Sequence, residues 1–252
     1  MSVVMEKRFD ATSIWEQFGI TQHLGGLNAT KRLLDSVRVD KAKNLLDIGC
    51  GTGYTACLVS KSKSIEVVGI DLRAGLLGSA SDRTSGSGPG GTTSLIECDA
   101  QRLPIVSESF EAAISESVLV FCDAGKVLSE AYRVLKRGAI FGINEMTLLK
   151  PPPKDLFSWF WEMLRIWPRY QQDWTILFEQ AGFEEVTSKI YSFTMREDFF
   201  SHLKVDGFRY FSTLVKSFAD ATVSNFVTKE MLVAGIRFAP YIGYGIYSGR
   251  KI

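Results

Sequence analysis

A short apolar run, Asn44 to Ile48, stops on Gly49-Cys50-Gly51-Thr52-Gly53, and a helical pattern restarts over Ala56 to Ser60. Three alternating glycines between a strand and a helix leave few options. Glycine adopts positive φ and lets the backbone approach a ligand closely. The helix that follows turns its unpaired N–H groups and positive dipole end onto the loop. Such a turn suits an anion, either a pyrophosphate or a carboxylate. A plain strand-to-helix turn has the same composition, so the rest of the chain must decide.

The alternation continues. Ile65 to Ile70 is a second β-branched run, closed by Asp71, and Ala74 to Ala80 is helix-like. Residues 82–93, DRTSGSGPGGTT, have the composition of a flexible loop. Ser94 to Cys98 is a third strand ending at Asp99, and Phe110 to Ser115 a fourth. Gly125 to Leu135 is an amphipathic helix, and Ala139 to Glu145 a fifth strand. Strands alternating with helices predict right-handed crossovers and a parallel sheet covered on both faces.

The flanks read differently. Ile14, Trp15 and Phe18 have helical spacing within Ala11 to Phe18, and Asn28 is read as the cap of a helix carrying Ala29, Leu33, Leu34 and Val37. Residues 151–252 hold 22 of the 30 aromatic side chains, which marks this part as something other than more of the same sheet. Pro151-Pro152-Pro153 breaks the chain, and residues 155–167 form an aromatic-rich helix. Gln171 to Ala181 is a helix stopped by Gly182, and Glu184 to Phe193 a strand. Glu197 to Ala234 is largely helical with a break at Gly207, and Ile236 to Ser248 is the last strand. The prediction is one doubly wound α/β domain over 1–252, with about seven mostly parallel strands and the last antiparallel. A helical segment 1–40 precedes it, and helical cap insertions occupy about 150–168 and 197–234.

Composition narrows the function. Lys and Arg number 29 against 28 Asp and Glu, which gives no sign of the concentrated basic surface of a nucleic-acid binder. Cys50, Cys57, Cys98 and Cys122 form no CxxC and no zinc-type spacing, so no metal is expected and the thiols are read as reduced. The N-terminus has no apolar core of signal-peptide length, and no run approaches the roughly 20 apolar residues of a membrane span. The expected location is the cytoplasm.

The dinucleotide fingerprint GxGxxG needs a small residue three places after the second glycine, and that place holds the bulky Tyr54. This counts against an NAD-dependent oxidoreductase. Asp71, 24 residues after Asp47, is placed to accept hydrogen bonds from ribose hydroxyls, or to cap the strand end. Asp99 is placed to accept from an adenine amino group, with Leu72 and Ala100 flanking the ring.

The order LLDIGCGTG, VVGIDL, ECDAQRLPIVSESFEAAIS and RVLKRGAIFGINE resembles the class I S-adenosylmethionine (SAM)-dependent methyltransferases. Within them it is similar to the small-molecule branch that includes the ubiquinone/menaquinone biosynthesis methyltransferases. The match covers about residues 20–147, and QDWTILFEQAGFEEV at 172–186 resembles that branch's later helix and strand. Where the family usually has Pro-Gly before the fifth strand, this chain has Arg137-Gly138-Ala139.

The resemblance implies a Rossmann-like fold, SAM as cofactor and S-adenosylhomocysteine as product. It implies that Asp47, Gly49, Cys50, Gly51 and Gly53 hold the methionine end, Asp71 the ribose, and Leu72, Asp99 and Ala100 the adenine. Ser115 and Glu116 would line the wall near the sulfonium. Gln22-His23-Leu24-Gly25-Gly26 resembles an entrance segment, which would set His23 over the methionine carboxylate.

Methyl transfer needs alignment and dryness more than a strong base. Where an acceptor must lose a proton, the candidates are His23, Glu116, Glu145 and His202. The aromatics of the two caps (Trp159, Phe160, Trp161, Trp167, Phe199, Phe200, Phe208, Tyr210, Phe211) are expected either to line a chamber for a small, fairly apolar acceptor or to be ordinary core. A base-methylating enzyme would carry an (Asp/Asn)-Pro-Pro-aromatic turn after strand four, where this chain has Ser115-Glu116-Ser117-Val118. A non-catalytic SAM-binding protein is the other alternative. The acceptor, the atom methylated and the oligomeric state are not written in the sequence.

Overall fold

The computed structural model describes residues 23–62, 65–85, 91–192, 207, 215 and 236–252. The chain opens with helix α1 (Gly26–Ser36) and a short 3-10 turn at Val39–Lys41. Then follow β1 (Asn44–Ile48), α2 (Tyr54–Ser62), β2 (Glu66–Asp71), α3 (Ala74–Ser85), β3 (Thr93–Glu97) and β4 (Phe110–Glu116). A 3-10 turn at Leu119–Phe121 leads to α4 (Ala124–Val134) and β5 (Leu135–Leu148). The rest is α5 (Asp155–Leu164), β6 (Arg169–Tyr170), α6 (Gln171–Gln180), β7 (Glu184–Ser192) and β8 (Ile242–Arg250).

Eight strands make one sheet in the order β3-β2-β1-β4-β5-β8-β7, with β6 pairing β5 off that path. β1, β2, β3, β4, β5 and β6 pair in parallel, while β8 runs antiparallel to both β5 and β7. The doubly wound α/β expectation and the antiparallel last strand both hold. Alternate side chains along each strand face opposite sides. Leu45, Val67, Ala112 and Ile114 pack with α1 and α2 on one face. Leu46, Ala113, Phe141 and Tyr247 pack with α4, α5 and α6 on the other.

Several boundaries move for identifiable reasons. α1 starts at Gly26 behind Gly25, whose φ of 80° suits glycine, so Asn28 lies inside the helix and caps nothing. α3 continues to Ser85, through residues whose composition suggested a loop, with the Thr84 hydroxyl bonded to the Ala80 carbonyl. β5 starts directly from α4 at Leu135, four residues before the expected start, and edges β4 from Phe110 onward. Residues 236–238 are a helical turn, and the last strand begins only at Ile242. The expected helix at Ala11 to Phe18 and nearly all of the cap at 197–234 lie outside the described residues.

Candidate functional site

The carboxyl ends of β1, β2 and β4 meet around the glycine loop. Gly49, Gly51 and Gly53 all have positive φ (73°, 53° and 71°). Two of them are also hemmed in. A Cβ on Gly49 would lie 2.2 Å from Cγ2 of Val118, and one on Gly53 would lie 2.7 Å from Cβ of Ala80. A Cβ on Gly51 would meet nothing within 4 Å among the described residues.

The loop is tied to the second strand. Gly51 N–H donates to Oδ2 of Asp71 (2.9 Å), and Arg73 N–H donates to its Oδ1 (3.0 Å). The Leu72 amide also bonds to this carboxylate, which leaves one lone pair for another donor. Beneath the loop, Asp47 is buried and takes a hydrogen bond from the Ala56 amide, while its Oδ2 has no partner among the described residues. Burial first, then the nearby Glu116 and Asp71 carboxylates, push the Asp47 carboxyl well above the usual range. Burial also pushes up Asp71 and the Cys50 thiol, which sits against Gly69 of β2.

Glu116, at the end of β4, gathers three other elements. Its Oε1 accepts from the Thr55 hydroxyl in the first turn of α2 (2.7 Å), and its Oε2 from the Thr30 hydroxyl of α1 (3.0 Å). His23 Nε2 lies 2.9 Å from Thr30 Oγ1 and 3.4 Å from Glu116 Oε2. The Thr30 hydroxyl donates to Glu116, and an Nε2–H tautomer of His23 would complete the contact with Thr30. His23 and Glu116 are thereby brought together.

The remaining sequence-predicted positions separate. Ser115 is fully buried and its hydroxyl donates to the Ile48 carbonyl (2.9 Å), which ties β4 to β1 behind the loop. Leu72 is 66% exposed and Ala100 half-buried, so both offer apolar surface beyond the strand ends. Asp99 is exposed and accepts from the backbone and side-chain amides of Gln101 (2.9 and 3.2 Å). Glu145 is wholly buried in β5 and accepts from the backbone of the β4–α4 connection. His202 lies outside the described residues. Sequence reasoning missed Thr30 and Thr55. Thr55, two places beyond Gly53, was within reach of a helix-start argument; Thr30 meets Glu116 only through the fold.

A family model described as a methyltransferase domain matches residues 46–143. That stretch of the chain is thus similar to a methyltransferase domain. The Bacillus subtilis (strain 168) protein named uncharacterized methyltransferase YodH is 36% identical over 138 residues, covering 54% of this chain and 58% of its own. The ubiquinone/menaquinone biosynthesis C-methyltransferase UbiE of Brucella anthropi is 30% identical over 168 residues, covering 56% and 64%. This chain thus spans about three-fifths of the length of these curated relatives. A SAM-dependent methyltransferase from Geobacter sulfurreducens, solved with S-adenosylhomocysteine, superposes with a TM-score of 0.74 at 16% identity, covering 96% of this chain and 99% of the other. The chain therefore shares the fold of that solved methyltransferase. The matched stretch contains Asp47, the three glycines, Asp71, Asp99 and Glu116. His23, Thr30 and Glu145 flank it.

Proposed function

We propose that this protein transfers the methyl group of SAM to a small, fairly apolar acceptor at the carboxyl rim of the sheet. The observation that carries the reading is the convergence of Asp47, Asp71 and Glu116 on one glycine loop, with Oδ2 of Asp47 buried and without a partner among the described residues. Three carboxylates would repel a pyrophosphate. They suit a ligand bearing an ammonium and a sulfonium. The residues present fit SAM, which would supply a methyl carbon on a cationic sulfur that leaves as a neutral thioether.

In this reading Asp47 and the glycine loop hold the amino-acid end. Asp71 accepts from a ribose hydroxyl with its remaining lone pair, and Leu72 and Ala100 sandwich the adenine near Asp99. Glu116 faces the cationic centre. A proton leaving the acceptor goes to Nδ1 of His23, which holds the lone pair when Nε2 carries hydrogen. Thr30 and Glu116 then stabilise the imidazolium through Nε2.

The apolar acceptor is supported by α5 and the turn after it. Trp161 and Trp167 are about half exposed, and Trp159 is half-buried against Phe160 and Phe238. Phe160 itself is core. The other aromatics of the expected chamber lie outside the described residues. We infer a single domain over 1–252 that works in the cytoplasm, a reading supported by four free thiols. No helix among the described residues is long and apolar enough to cross a membrane.

Calorimetry with SAM, S-adenosylhomocysteine and NADH tests the cofactor. The first two are expected to bind and NADH not. Release of S-adenosylhomocysteine from SAM in the presence of fractionated metabolites then identifies the acceptor. Turnover confined to nucleotides or protein side chains would overturn the apolar assignment.

A further inference from the structure

The end of β5 carries two consecutive polar residues with no part in the chemistry above, Asn144 and Glu145, both completely buried. As neighbours on a strand they point to opposite faces of the sheet. On one face Asn144 Nδ2 donates to the Leu24 carbonyl (2.9 Å), next to His23 and just ahead of the Gly25 turn. On the other face Glu145 Oε1 accepts from the backbone N–H groups of Val118 (2.8 Å) and Leu119 (2.6 Å). Between them the Asn144 carbonyl accepts from Ser117 N–H (2.8 Å), which helps to hold Ser117 at a φ of 56°. The stretch gripped in this way, Ser117 to Leu119, follows directly on Glu116 and carries the Val118 side chain that packs on Gly49.

We propose that Asn144 and Glu145 are positioning residues of the cofactor cleft, one fixing the His23 segment and the other seating the Val118 ridge against Gly49. This rests on the reading of that cleft given above. Both residues also leave an oxygen, Asn144 Oδ1 and Glu145 Oε2, buried and without a partner among the described residues. Such atoms weaken a fold and are retained where the position of something else depends on them.

The two roles of Glu145 oppose each other with pH. Burial raises its carboxyl to about 7, against the lowering effects of the Leu119 and Val118 amides and of Arg169 on β6. Cys122 and Tyr247 of β8 also sense its charge. Its folded value lies above the unfolded one, so between about 4.5 and 7 the folded chain binds the extra proton and stability falls as pH rises. The grip on two N–H groups strengthens over the same interval, because an ionised acceptor makes the stronger hydrogen bond.

Glu145→Gln keeps an acceptor for both amides and removes the charge. The expected result at pH 8 is an unchanged or raised Tm with a Kd for SAM weakened by about fivefold to tenfold. The wild-type gain in SAM affinity from pH 6 to 8 should flatten in the variant. Asn144→Ala should weaken SAM binding in the same sense. Amide exchange at Val118 and Leu119, corrected for intrinsic rates, gives a readout that needs no cofactor, and it should speed up in Glu145→Gln. Wild-type affinity with the wild-type pH profile in Glu145→Gln, or unchanged exchange at the two amides, overturns the proposal. A wild-type chain that binds no SAM defeats the reading of the cleft instead, and the exchange arm still decides whether Glu145 holds the ridge.

Discussion

The two halves of the sheet are built by different rules. The β1–β4 half has strands of five to seven residues, and its loops end in glycines and carboxylates. Gly49 and Gly53 are fixed there by close contacts with Val118 and Ala80, and Asp47, Asp71 and Glu116 by one or more hydrogen bonds each. In the β5–β8 half, β5 has fourteen residues and β7 and β8 nine each, with the two-residue β6 beside β5, and its face is filled by Phe141, Trp174, Phe178, Phe183 and Tyr247. One half spends its geometry on positioning polar atoms, the other on burying rings. Stability and ligand affinity should therefore be separable by substitution.

The sharpest test removes the largest fully buried ring among the described residues. Trp174 is wholly buried against Tyr247, with its indole N–H on the Met146 carbonyl (3.2 Å). Trp174→Ala is expected to cost about 3–5 kcal/mol by denaturant unfolding. Should it leave stability intact, the burial half is not what holds the fold. Gly49→Val attacks the other half, since it strains a positive φ and drives a side chain into Val118. SAM affinity should fall on the order of a hundredfold by calorimetry, a drop that ordinary loop plasticity would not give. Asp71→Asn keeps the shape and removes the charge, and a loss of about tenfold in SAM affinity is expected with little change in Tm. Smallest for stability is Trp161→Ala, within about 0.5 kcal/mol by thermal melting. It should act on KM for an apolar acceptor and leave KM for SAM alone.

The two halves also differed in how far the sequence disclosed them. The glycine turn of Gly49 to Gly53 and the strand ends near Asp71 and Asp99 were legible because each sits in a contiguous run with its own pattern. β1, β2 and β4 followed from the same runs, to within a residue or so. α1 was misplaced at its start because the Gly25 turn, with its backbone in the left-handed region, displaced Asn28 as the opening residue. β5 was read short because Lys136 and Arg137 look like a loop. They continue the strand beside Phe110. The partners of Glu116 were illegible for a different reason. Thr30 lies 86 residues away and Thr55 lies 61 away, and no periodicity records contacts made by folding. Glu145 was noticed as an acidic strand end, but its grip on Val118 and Leu119 depends on β4 and β5 lying side by side.

The insertion of β8 between β5 and β7 bears on the order of assembly. Among the described residues β7 bonds to no strand but β8, and β8 is translated some fifty residues after it. A chain emerging from the ribosome can complete β3 to β5 and their glycine loop early, yet β7 waits for β8. During that interval β7 is an exposed template for a stray strand. The half of the sheet that buries the rings is the half that nascent synthesis leaves open longest.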